Sequence, residues 1–555
     1  MVDDDQFDPT DPYNRETQTF PKLSVEQLQR IERFGTTESF AKGAALFTRG
    51  ERSVDFFVVC TGSVEVTERD ARGQDQVIHL HRERQFTGEL DLFNNREILV
   101  SGHAGDDSRI VRVPRVDFQR LIEAEPDIAE IITRAFILRR VGLMKYAQGG
   151  VVLIGSSHSA DTLRLQRFLS RNGYPHRMLD TDSDSDAGGM ITCLKITPEQ
   201  LPVVVLPDKA NLLNPSTPEL ADKLGLTESF DPKRTYDLAV IGAGPAGLAA
   251  AVYGASEGLD TLVIEPLAPG GQAGTSSKIE NYLGFPTGIS GQALAGRAQI
   301  QAQKFGARLA ISRKVVALDC DRSPFCVELE DRQRIFARSI VIATGARYRK
   351  LDIPDYEKFE GQGIHYAATW IEGNLCSNEE VIVIGGGNSA GQAAVFLSQQ
   401  ARHVHILVRG EGLAATMSDY LIQRIEASPK ITLHPFTEIT ALNGEGMLES
   451  ATWTNSRTGE SVTLDVANMF VMIGAVPNTD WLDGCVPLDR GRFVITGRDG
   501  NGMALVSPYA TEKAGIFAVG DVRAGSTKRV ASGVGEGSVV VSAVHAYLAG
   551  LEKVD

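Results

Sequence analysis

The sequence contains no pair of neighbouring cysteines. Its 6 cysteines are scattered, and the closest two, Cys320 and Cys326, have five other residues between them, so no CxxC occurs. Dispersed cysteines are typical of a reducing compartment, and we predict that all of them are free thiols. A dithiol centre built from residues close together in sequence is therefore excluded.

Positive charge and long apolar runs are also scarce. The formal net charge of −15 argues against a nucleic-acid-binding surface, which requires a basic patch. We find no apolar run of the ~20 residues that span a bilayer, so we expect no membrane contact. Residues 1–5 lack the basic and apolar regions of a signal peptide, and no metal-ligand cluster is evident. We therefore expect a cytoplasmic protein without a metal.

Glycine, in contrast, is abundant. The chain has 55 glycines in 555 residues, about a tenth, against an average near ~7%. Such an excess indicates backbone that packs closely against other groups. At this length we expect three or four domains, because a single hydrophobic core stops growing well below it.

The amino-terminal part reads as two modules. Residues 1–15 are rich in Asp, Asn and Pro, and we predict a disordered acidic tail. Glycine-punctuated short strands over 40–114 predict an antiparallel barrel or jelly roll, and apolar spacing predicts one helix over 116–145. Strands at 151–154 and 201–206 with a helix at 161–171 predict a small α/β module. After a linker at 229–234, strands and helices alternate as in doubly wound folds.

A complete dinucleotide-binding motif follows the strand at 236–241. Gly242 permits a tight turn, Gly244 lets backbone approach a pyrophosphate, and Gly247 lets helix and strand pack closely. The helix that starts there offers amide donors to phosphate. The next strand ends in Glu265, where an acid is expected to bind ribose hydroxyls. We predict a bound dinucleotide here.

A second motif follows the strand at 381–384. Its candidate nucleotide contacts are Gly385, Gly387, Asn388, Ser389 and Ala390. Two dinucleotide folds in one chain indicate a flavin and a nicotinamide donor. The next strand ends in Arg409, a basic residue that suits the 2′-phosphate of NADP. The alternative is an isolated surface arginine.

The segments Gly270-Gly271-Gln272, Ile279-Glu280-Asn281-Tyr282, Ala343-Thr344-Gly345 and Ala518-Val519-Gly520-Asp521 resemble the thioredoxin reductase family. The resemblance implies a homodimer with an FAD domain at 229–352 and 480–555 around an NAD(P) domain at 353–479. It implies FAD contacts by Gly242, Gly244, Pro245, Ala246, Glu265, Gly271, Gln272, Asn281, Val315, Ala343, Thr344, Gly345, Gly520, Asp521, Arg529, Val530 and Ala531. It also implies a helix after Asp521 whose positive end faces the flavin.

The sequence departs from that family at the reaction centre. Where the family has a Cys-Ala-Thr-Cys run, this chain has Ala367-Ala368-Thr369-Trp370, so no thiolate can form there. Trp370 either covers the flavin or packs in the core. Cys376 is a weak catalytic candidate because it lacks a partner thiol. Of the family's basic run after the second nucleotide strand only Arg409 remains, so NADPH and NADH both stay open as donors.

The two amino-terminal modules also resemble known families. Residues 16–147 resemble a cyclic-nucleotide-binding domain, which implies a ribose contact for Glu89. Ile98 stands where that family has the phosphate-binding Arg, which argues against cyclic nucleotide binding and favours a structural, dimerising or retuned sensor role. Residues 148–228 resemble a thioredoxin or glutaredoxin fold, in which Ser159 and Thr162 occupy the cysteine positions.

Together these features predict a multidomain α/β protein. Two doubly wound dinucleotide-binding folds follow a β jelly-roll domain and a small thioredoxin-like domain. Three functions compete. The first is an FAD-dependent NAD(P)H oxidoreductase that reduces a non-dithiol acceptor such as ferredoxin, a quinone, a small disulfide or oxygen. The second is a flavin-containing redox sensor or scaffold, and the third is a conventional thioredoxin reductase.

Overall fold

The structure, a computed structural model, describes residues 12–52, 54–69, 75–88, 90–93, 96–206, 210–226, 231, 233–276, 278–368, 370–482 and 484–551. The chain divides into two compact units. One unit comprises residues 1–156, 165–229 and 303–312, and the other comprises residues 157–164, 230–302 and 313–555. Glu89 and Thr369 lie outside the described residues.

The first unit begins with an antiparallel β fold. Its elements are α1 Glu16–Thr19, α2 Val25–Ile31, β1 Thr36–Phe40, β2 Ala45–Phe47, β3 Phe56–Thr61, β4 Val64–Arg69, β5 Asp75–His81, β6 Ser101–Ala104, β7 Ser108–Val113, α3 Arg115–Ala124 and α4 Pro126–Lys145. The strands form two sheets, in the orders β1-β7-β3 and β2-β6-β4-β5. Buried Phe56, Phe86, Phe118 and Phe136 share one core. The predicted antiparallel β architecture is confirmed.

Two local predictions were wrong in this region. The single helix expected over 116–145 is broken at Glu125, whose φ of −124° and ψ of 76° lie outside the helical region. The cause is Pro126, which disfavours helical backbone before it and starts α4 instead. The tail was predicted to be disordered up to residue 15, but Tyr13–Arg15 form a 3₁₀ turn, and Tyr13 stacks on Tyr146 with ring centroids 5.2 Å apart.

A small mixed sheet follows in the chain. Its elements are β8 Val151–Gly155, α5 Ala160–Arg171, β9 His176–Asp180, α6 Ser185–Leu194, β10 Val203–Val205, β11 Asn211–Leu213 and α7 Thr217–Lys223. The strand order is β11-β10-β8-β9, with β8 and β9 parallel and β10 antiparallel to its neighbours. A cis peptide bond joins Leu201 to Pro202, directly before β10.

The second unit contains two parallel sheets. The elements from residue 235 to 348 are β12 Thr235–Ile241, α8 Pro245–Ser256, β13 Thr261–Glu265, α9 Gly291–Lys304, β14 Arg308–Ile311, β15 Val315–Asp319, β16 Phe325–Leu329, β17 Arg334–Ile342 and β18 Ala346–Tyr348. Of these, β14 and the end of α9 fall within residues 303–312 of the first unit. In the first sheet β12 lies between β13 and β17, and all three are parallel. The antiparallel strands β16 and β15 extend this sheet beyond β17.

The second sheet lies within the later part of the chain. The remaining elements are β19 Ile364–His365, α10 Trp370–Leu375, β20 Glu380–Ile384, α11 Asn388–Leu397, β21 His403–Leu407, α12 Asp419–Ala427, β22 Ile431–His434, β23 Thr437–Asn443, β24 Ser450–Asn455, β25 Ser461–Asp465, β26 Asn468–Val471, β27 Ala475–Pro477, β28 Ile516–Ala518 and α13 Val530–Leu551. Strands β19-β26-β20-β21-β22 form a parallel sheet, while β28 returns to pair with β17. Both parallel sheets match the doubly wound prediction.

The prediction that the chain has no apolar run long enough to span a bilayer was wrong for helix α13. Among the described residues it is the one helix whose length and composition would allow it to cross a membrane. A search for bulky apolar residues misses the sequence of α13 because glycine, alanine and serine lie between its valines. In the structure α13 packs against α8 and buries Gly533, Glu536 and Gly537.

Candidate active site

The first glycine turn connects β12 to α8 and has no room for side chains. Gly242 has a φ of +107°, and a Cβ atom there would lie 2.4 Å from the carbonyl oxygen of Ala343. A Cβ atom on Gly247 would lie 1.9 Å from the carbonyl oxygen of Gly242. Only glycine therefore allows the strand and the helix to approach this closely.

One side of the same turn is open. Gly244 is the N-cap of α8, and the nearest atom to a Cβ placed there is the Cα of Gly271, 4.0 Å away. Gly271 itself has a φ of +53°. Pro245 and Ala246 start the helix, whose first amide groups have no partners within it. Two facing glycines before a helix N-terminus fit the pyrophosphate of FAD.

Glu265 fixes the shape of this turn from the next strand. Its side chain accepts hydrogen bonds from the backbone N–H groups of Ala243, at 2.9 Å, and Leu267, at 3.1 Å. The residue is only 7% exposed. The carboxylate thus lies directly beside the turn, and the predicted ribose contact stays a prediction.

A buried carboxylate that the motifs did not reveal lies on α13. Glu536 on α13 accepts hydrogen bonds from the Gly520 N–H, at 2.6 Å, and from Arg523, at 2.8 Å. A Cβ atom on Gly537 would lie 2.1 Å from the carbonyl oxygen of Ala246, so α13 closes directly onto α8. The sequence offered one signal for this buried group, which is that Glu536 is the single acid in the otherwise apolar α13. Acids in such runs are buried with partners.

The segment around Asp521 differs from the prediction in one respect. Burial raises the pKa of Asp521 above its usual range. The long helix does not begin directly after Asp521, since a 3₁₀ turn at Gly520–Val522 comes first and α13 starts at Val530. Arg529 and Ala531, at the start of that helix, are exposed.

The Ala343-Thr344-Gly345 segment is joined to the end of β27. Thr344 Oγ1 donates to the carbonyl oxygen of Asn478, at 2.8 Å, and Asn478 Nδ2 donates to that of Thr344, at 2.9 Å. Gln272 donates to the carbonyl oxygen of Ala346. Two predicted flavin-contact segments are therefore tied to neighbouring backbone, whereas Asn281 is exposed and Val315 lies at the start of β15.

The second glycine turn repeats the geometry of the first. Gly385 has a φ of +133°, and a Cβ atom there would lie 2.3 Å from the carbonyl oxygen of Met472. Gly387 is the N-cap of α11 and has open space around it. Ser389 and Ala390 form the first turn of this helix with Asn388, whose Oδ1 accepts a hydrogen bond from the Ser418 N–H at 2.7 Å. These residues fit a second dinucleotide.

Arg409 lies at the rim of this second turn. Its side chain is 79% exposed, and its Nε lies 3.9 Å from an oxygen of Glu438. An exposed guanidinium can reach a 2′-phosphate, although it can equally be a surface group. A separate ion pair joins Arg424 on α12 to Glu280, which belongs to the predicted flavin-binding part of the chain.

The predicted reaction-centre residues have contrasting surroundings. Trp370 is 68% exposed at the start of α10, so the core-packing alternative was wrong. Cys376 is buried in the apolar core behind β20, and burial raises the pKa of its thiol far above its usual range. A thiol in that environment is a poor nucleophile at neutral pH.

The prediction of six free cysteines was wrong for one pair. Cys320 and Cys485 form a disulfide with a Cα–Cα distance of 6.0 Å. They are 165 positions apart in sequence, and the fold brings them together where β15 ends close to the segment after Asp480–Leu482. Both are partly exposed. No local spacing could have revealed this pair.

The amino-terminal modules carry the other predicted sites. Ile98 lines a cavity in the β fold, whereas Arg96 donates to the carbonyl oxygen of Asn172, at 3.2 Å. Thr162 is buried on α5, and the carbonyl oxygen of Ser159 accepts a hydrogen bond from the Leu163 N–H. In the described part of the chain no group of three or more His, Cys, Asp or Glu side chains could hold a metal ion.

Comparison with known proteins identifies the families. Residues 236–537 match the pyridine nucleotide-disulphide oxidoreductase family, and residues 37–125 match the cyclic nucleotide-binding domain. The chain belongs to the pyridine nucleotide-disulphide oxidoreductase family. Its relatives include thioredoxin reductases, which are flavoproteins that use FAD and NADPH.

Individual relatives agree on this half of the chain. A thioredoxin reductase of Peptoclostridium acidaminophilum is 33% identical over 57% of this chain and 98% of its own length. The NADPH-dependent thioredoxin reductase 3 of Arabidopsis thaliana is 34% identical over 56% of this chain, but the match spans only 58% of that protein. The crystal structure of Lactococcus lactis thioredoxin reductase in its FR conformation is 30% identical, with a TM-score of 0.52 over 57% of this chain and 100% of its own.

Proposed function

We propose that the chain is an FAD-dependent NAD(P)H oxidoreductase that passes electrons to an acceptor other than a dithiol of its own nucleotide domain. The observation that carries this proposal is the combination of two complete glycine turns with Trp370 at the place of the family's second redox cysteine. FAD, when bound, supplies two-electron acceptor chemistry. Candidate final acceptors are ferredoxin, a quinone, a small disulfide and oxygen.

The chain's own residues have defined tasks in this proposal. Gly244, Gly271 and the α8 N-terminus hold the pyrophosphate of FAD, and Glu265 and Glu536 keep the surrounding backbone in place. Gly387 and Asn388 hold the nicotinamide dinucleotide, with Arg409 at its 2′ position. The donor is NADPH or NADH. A relative named NADH dehydrogenase, from Bacillus subtilis, is 28% identical over 60% of this chain.

We also propose the domain organisation and setting. The boundaries are 16–147, 148–228, 229–352 with 480–555, and 353–479. The family matches and the separate sheets support them. A thioredoxin-like fold for 148–228 is supported by its mixed sheet, in which β8 and β9 are parallel and β10 is antiparallel to β8. We further propose that the protein is a cytoplasmic homodimer. Its amino-terminal modules have a regulatory role and do not bind a cyclic nucleotide.

Anaerobic rapid mixing with NADPH or NADH tests the proposal. We expect the flavin absorbance to bleach within seconds and to return when an acceptor is added. Absence of bleaching with either donor would contradict an enzyme and favour the redox sensor or scaffold. A variant with Arg33, an exposed residue of the amino-terminal module, changed to Ala controls for effects of mutation and purification.

A thioredoxin reductase remains a second candidate because one disulfide exists. Cys320 and Cys485 supply a thiol–disulfide pair outside the family's usual position. If electrons leave through this pair, reduction of thioredoxin or dithionitrobenzoate runs well above the rate of free flavin, and Cys320→Ser abolishes it. The main proposal instead expects thioredoxin reduction no faster than with free flavin, and it expects any reduction of dithionitrobenzoate to be unchanged in Cys320→Ser and in the control Cys193→Ser.

A further inference from the structure

The β fold of the amino-terminal module encloses a small cavity. Its lining includes His79 and His81 of β5, Thr87 and Asp91 of the segment that follows, and Arg139 of α4. The cavity measures about 70 Å³. An engineered cavity that binds benzene measures roughly 150 Å³, so this one is too small for a nucleotide in the conformation described. The cavity is partly open, so a short linear ligand can extend beyond it.

Three buried polar atoms of the lining have no hydrogen-bond partner among the described residues. They are His79 Nε2, His81 Nδ1 and Thr87 Oγ1. His81 is 2% exposed and Thr87 is 1% exposed, so bulk water does not reach these side chains freely. An unpaired buried polar group costs about 1–3 kcal/mol, which a ligand with matching atoms would recover.

The electrostatics of the lining favour a negative ligand group over a positive one. Burial and the nearby Arg139 charge lower the pKa of His79 to about 4 and that of His81 well below its usual range, so both imidazoles are neutral at pH 7. Arg139 contributes a buried positive charge to the lining. The two acids there, Asp55 and Asp91, each form an ion pair, with Arg112 at 2.6 Å and with Arg140 at 2.9 Å.

The rest of the wall is hydrocarbon. Phe47, Val66, Ile98 and Val100 line the cavity, and Ile98 replaces the guanidinium that would neutralise a cyclic phosphate. Arg96, two residues earlier, is absent from the lining and donates to Asn172 instead. The lining therefore combines apolar side chains with a few polar groups that can donate hydrogen bonds.

We propose that this cavity binds a short-chain carboxylate of about the size of butyrate. Thr87 Oγ1 and an imidazole N–H donate to the carboxylate, Arg139 favours its charge, and the alkyl chain contacts Ile98 and Val100. The proposal concerns a different module from the flavin site and does not depend on the proposed oxidoreductase activity.

Ligand-observed saturation-transfer NMR on the full FAD-loaded chain tests the proposal with three probes of equal length. Sodium butyrate should give transfer, n-butanol weaker transfer, and n-butylamine none. Thr87→Val removes one donor at nearly constant volume and should raise the butyrate Kd about tenfold. Ile98→Phe fills the cavity and should abolish transfer, while Val116→Phe at an exposed position of α3 should leave it unchanged.

Three outcomes would overturn the proposal. The first is no transfer from millimolar butyrate to the folded wild type. The second is butyrate binding that survives in Ile98→Phe, which would place the ligand elsewhere on the surface. The third is micromolar binding of cyclic AMP that Ile98→Phe removes, which would show that the cavity opens for a nucleotide. A far-ultraviolet circular dichroism spectrum of each variant establishes that it is folded.

Discussion

The two glycine turns of the second unit have nearly the same backbone but different surroundings. In both, a Cβ on the first glycine would lie within 2.4 Å of a carbonyl oxygen, and the helix N-cap is an open glycine. The first turn is also held by the buried carboxylate of Glu265, and a second buried carboxylate, Glu536, holds Gly520 on the segment that precedes the helix packed on α8. The second has an exposed arginine at its rim. The comparison suggests a firmly held cofactor in the first fold and an exchanging one in the second.

The largest expected effect comes from removing Glu536. Glu536→Ala leaves Arg523 without its carboxylate and the Gly520 N–H without its acceptor. Breaking such a buried pair costs about 3–5 kcal/mol, so we expect a large drop in thermal stability and loss of FAD during purification. Glu330→Ala removes an exposed acid of the same domain and should change neither. Equal FAD content in the two variants would show that the first turn needs no such support.

The two turns should respond separately to the same change. Gly242→Ala and Gly385→Ala each force a Cβ into a carbonyl oxygen at a positive φ, with a strain of roughly 1–3 kcal/mol. We expect Gly242→Ala to lower FAD content and Gly385→Ala to keep FAD but weaken NAD(P)H binding. Flavin absorbance and titration with NADPH measure the two quantities. FAD loss in Gly385→Ala would remove the distinction between the turns.

A smaller effect is expected at the rim of the second turn. If Arg409 contacts the 2′-phosphate, Arg409→Ala should raise the KM for NADPH about tenfold, the value of one charge-assisted hydrogen bond. The KM for NADH should not change, and thermal stability should not change because the side chain is exposed. The control is Arg402→Ala, which removes another exposed cation, directly before β21. An equal effect on both donors would make Arg409 a simple surface group.

The smallest effect on stability is expected at Trp370. Because the side chain is 68% exposed, Trp370→Ala should change the free energy of unfolding by no more than about 0.5 kcal/mol. If the ring covers the flavin, the substitution should brighten flavin fluorescence, since a stacked indole quenches it. A large loss of stability without a change in fluorescence would show that Trp370 packs against something else.

The features that could be predicted from the sequence are those that depend on residues close together in the chain. The glycine turns were found because Gly242, Gly244 and Gly247 are spaced within six positions and the strand and helix around them have clear apolar patterns. Glu265 was found for the same reason, although its contacts with the turn were not. The break at Pro126 could have been found from the proline alone, since the residue before it disfavours helix.

The remaining features depend on residues far apart in the chain. Glu536 meets Gly520 and Arg523 only after α13 has packed on α8, and Cys320 meets Cys485 across 165 positions. The cavity around His81 requires strands, a turn and α4 together. The periodicity and spacing of residues describe one helix or strand at a time. They therefore do not reveal contacts between segments that are far apart in the chain.

The close contact between Gly537 and Ala246 also bears on how the protein is made. The first glycine turn, at residues 242–247, is synthesised well before the helix that closes onto it, because α13 begins only at Val530. Contacts between distant segments form late because the intervening chain must be ordered first. Uptake of the flavin is therefore expected to follow synthesis of α13, and a chain stalled shortly before Val530 would carry both glycine turns without a finished cofactor site.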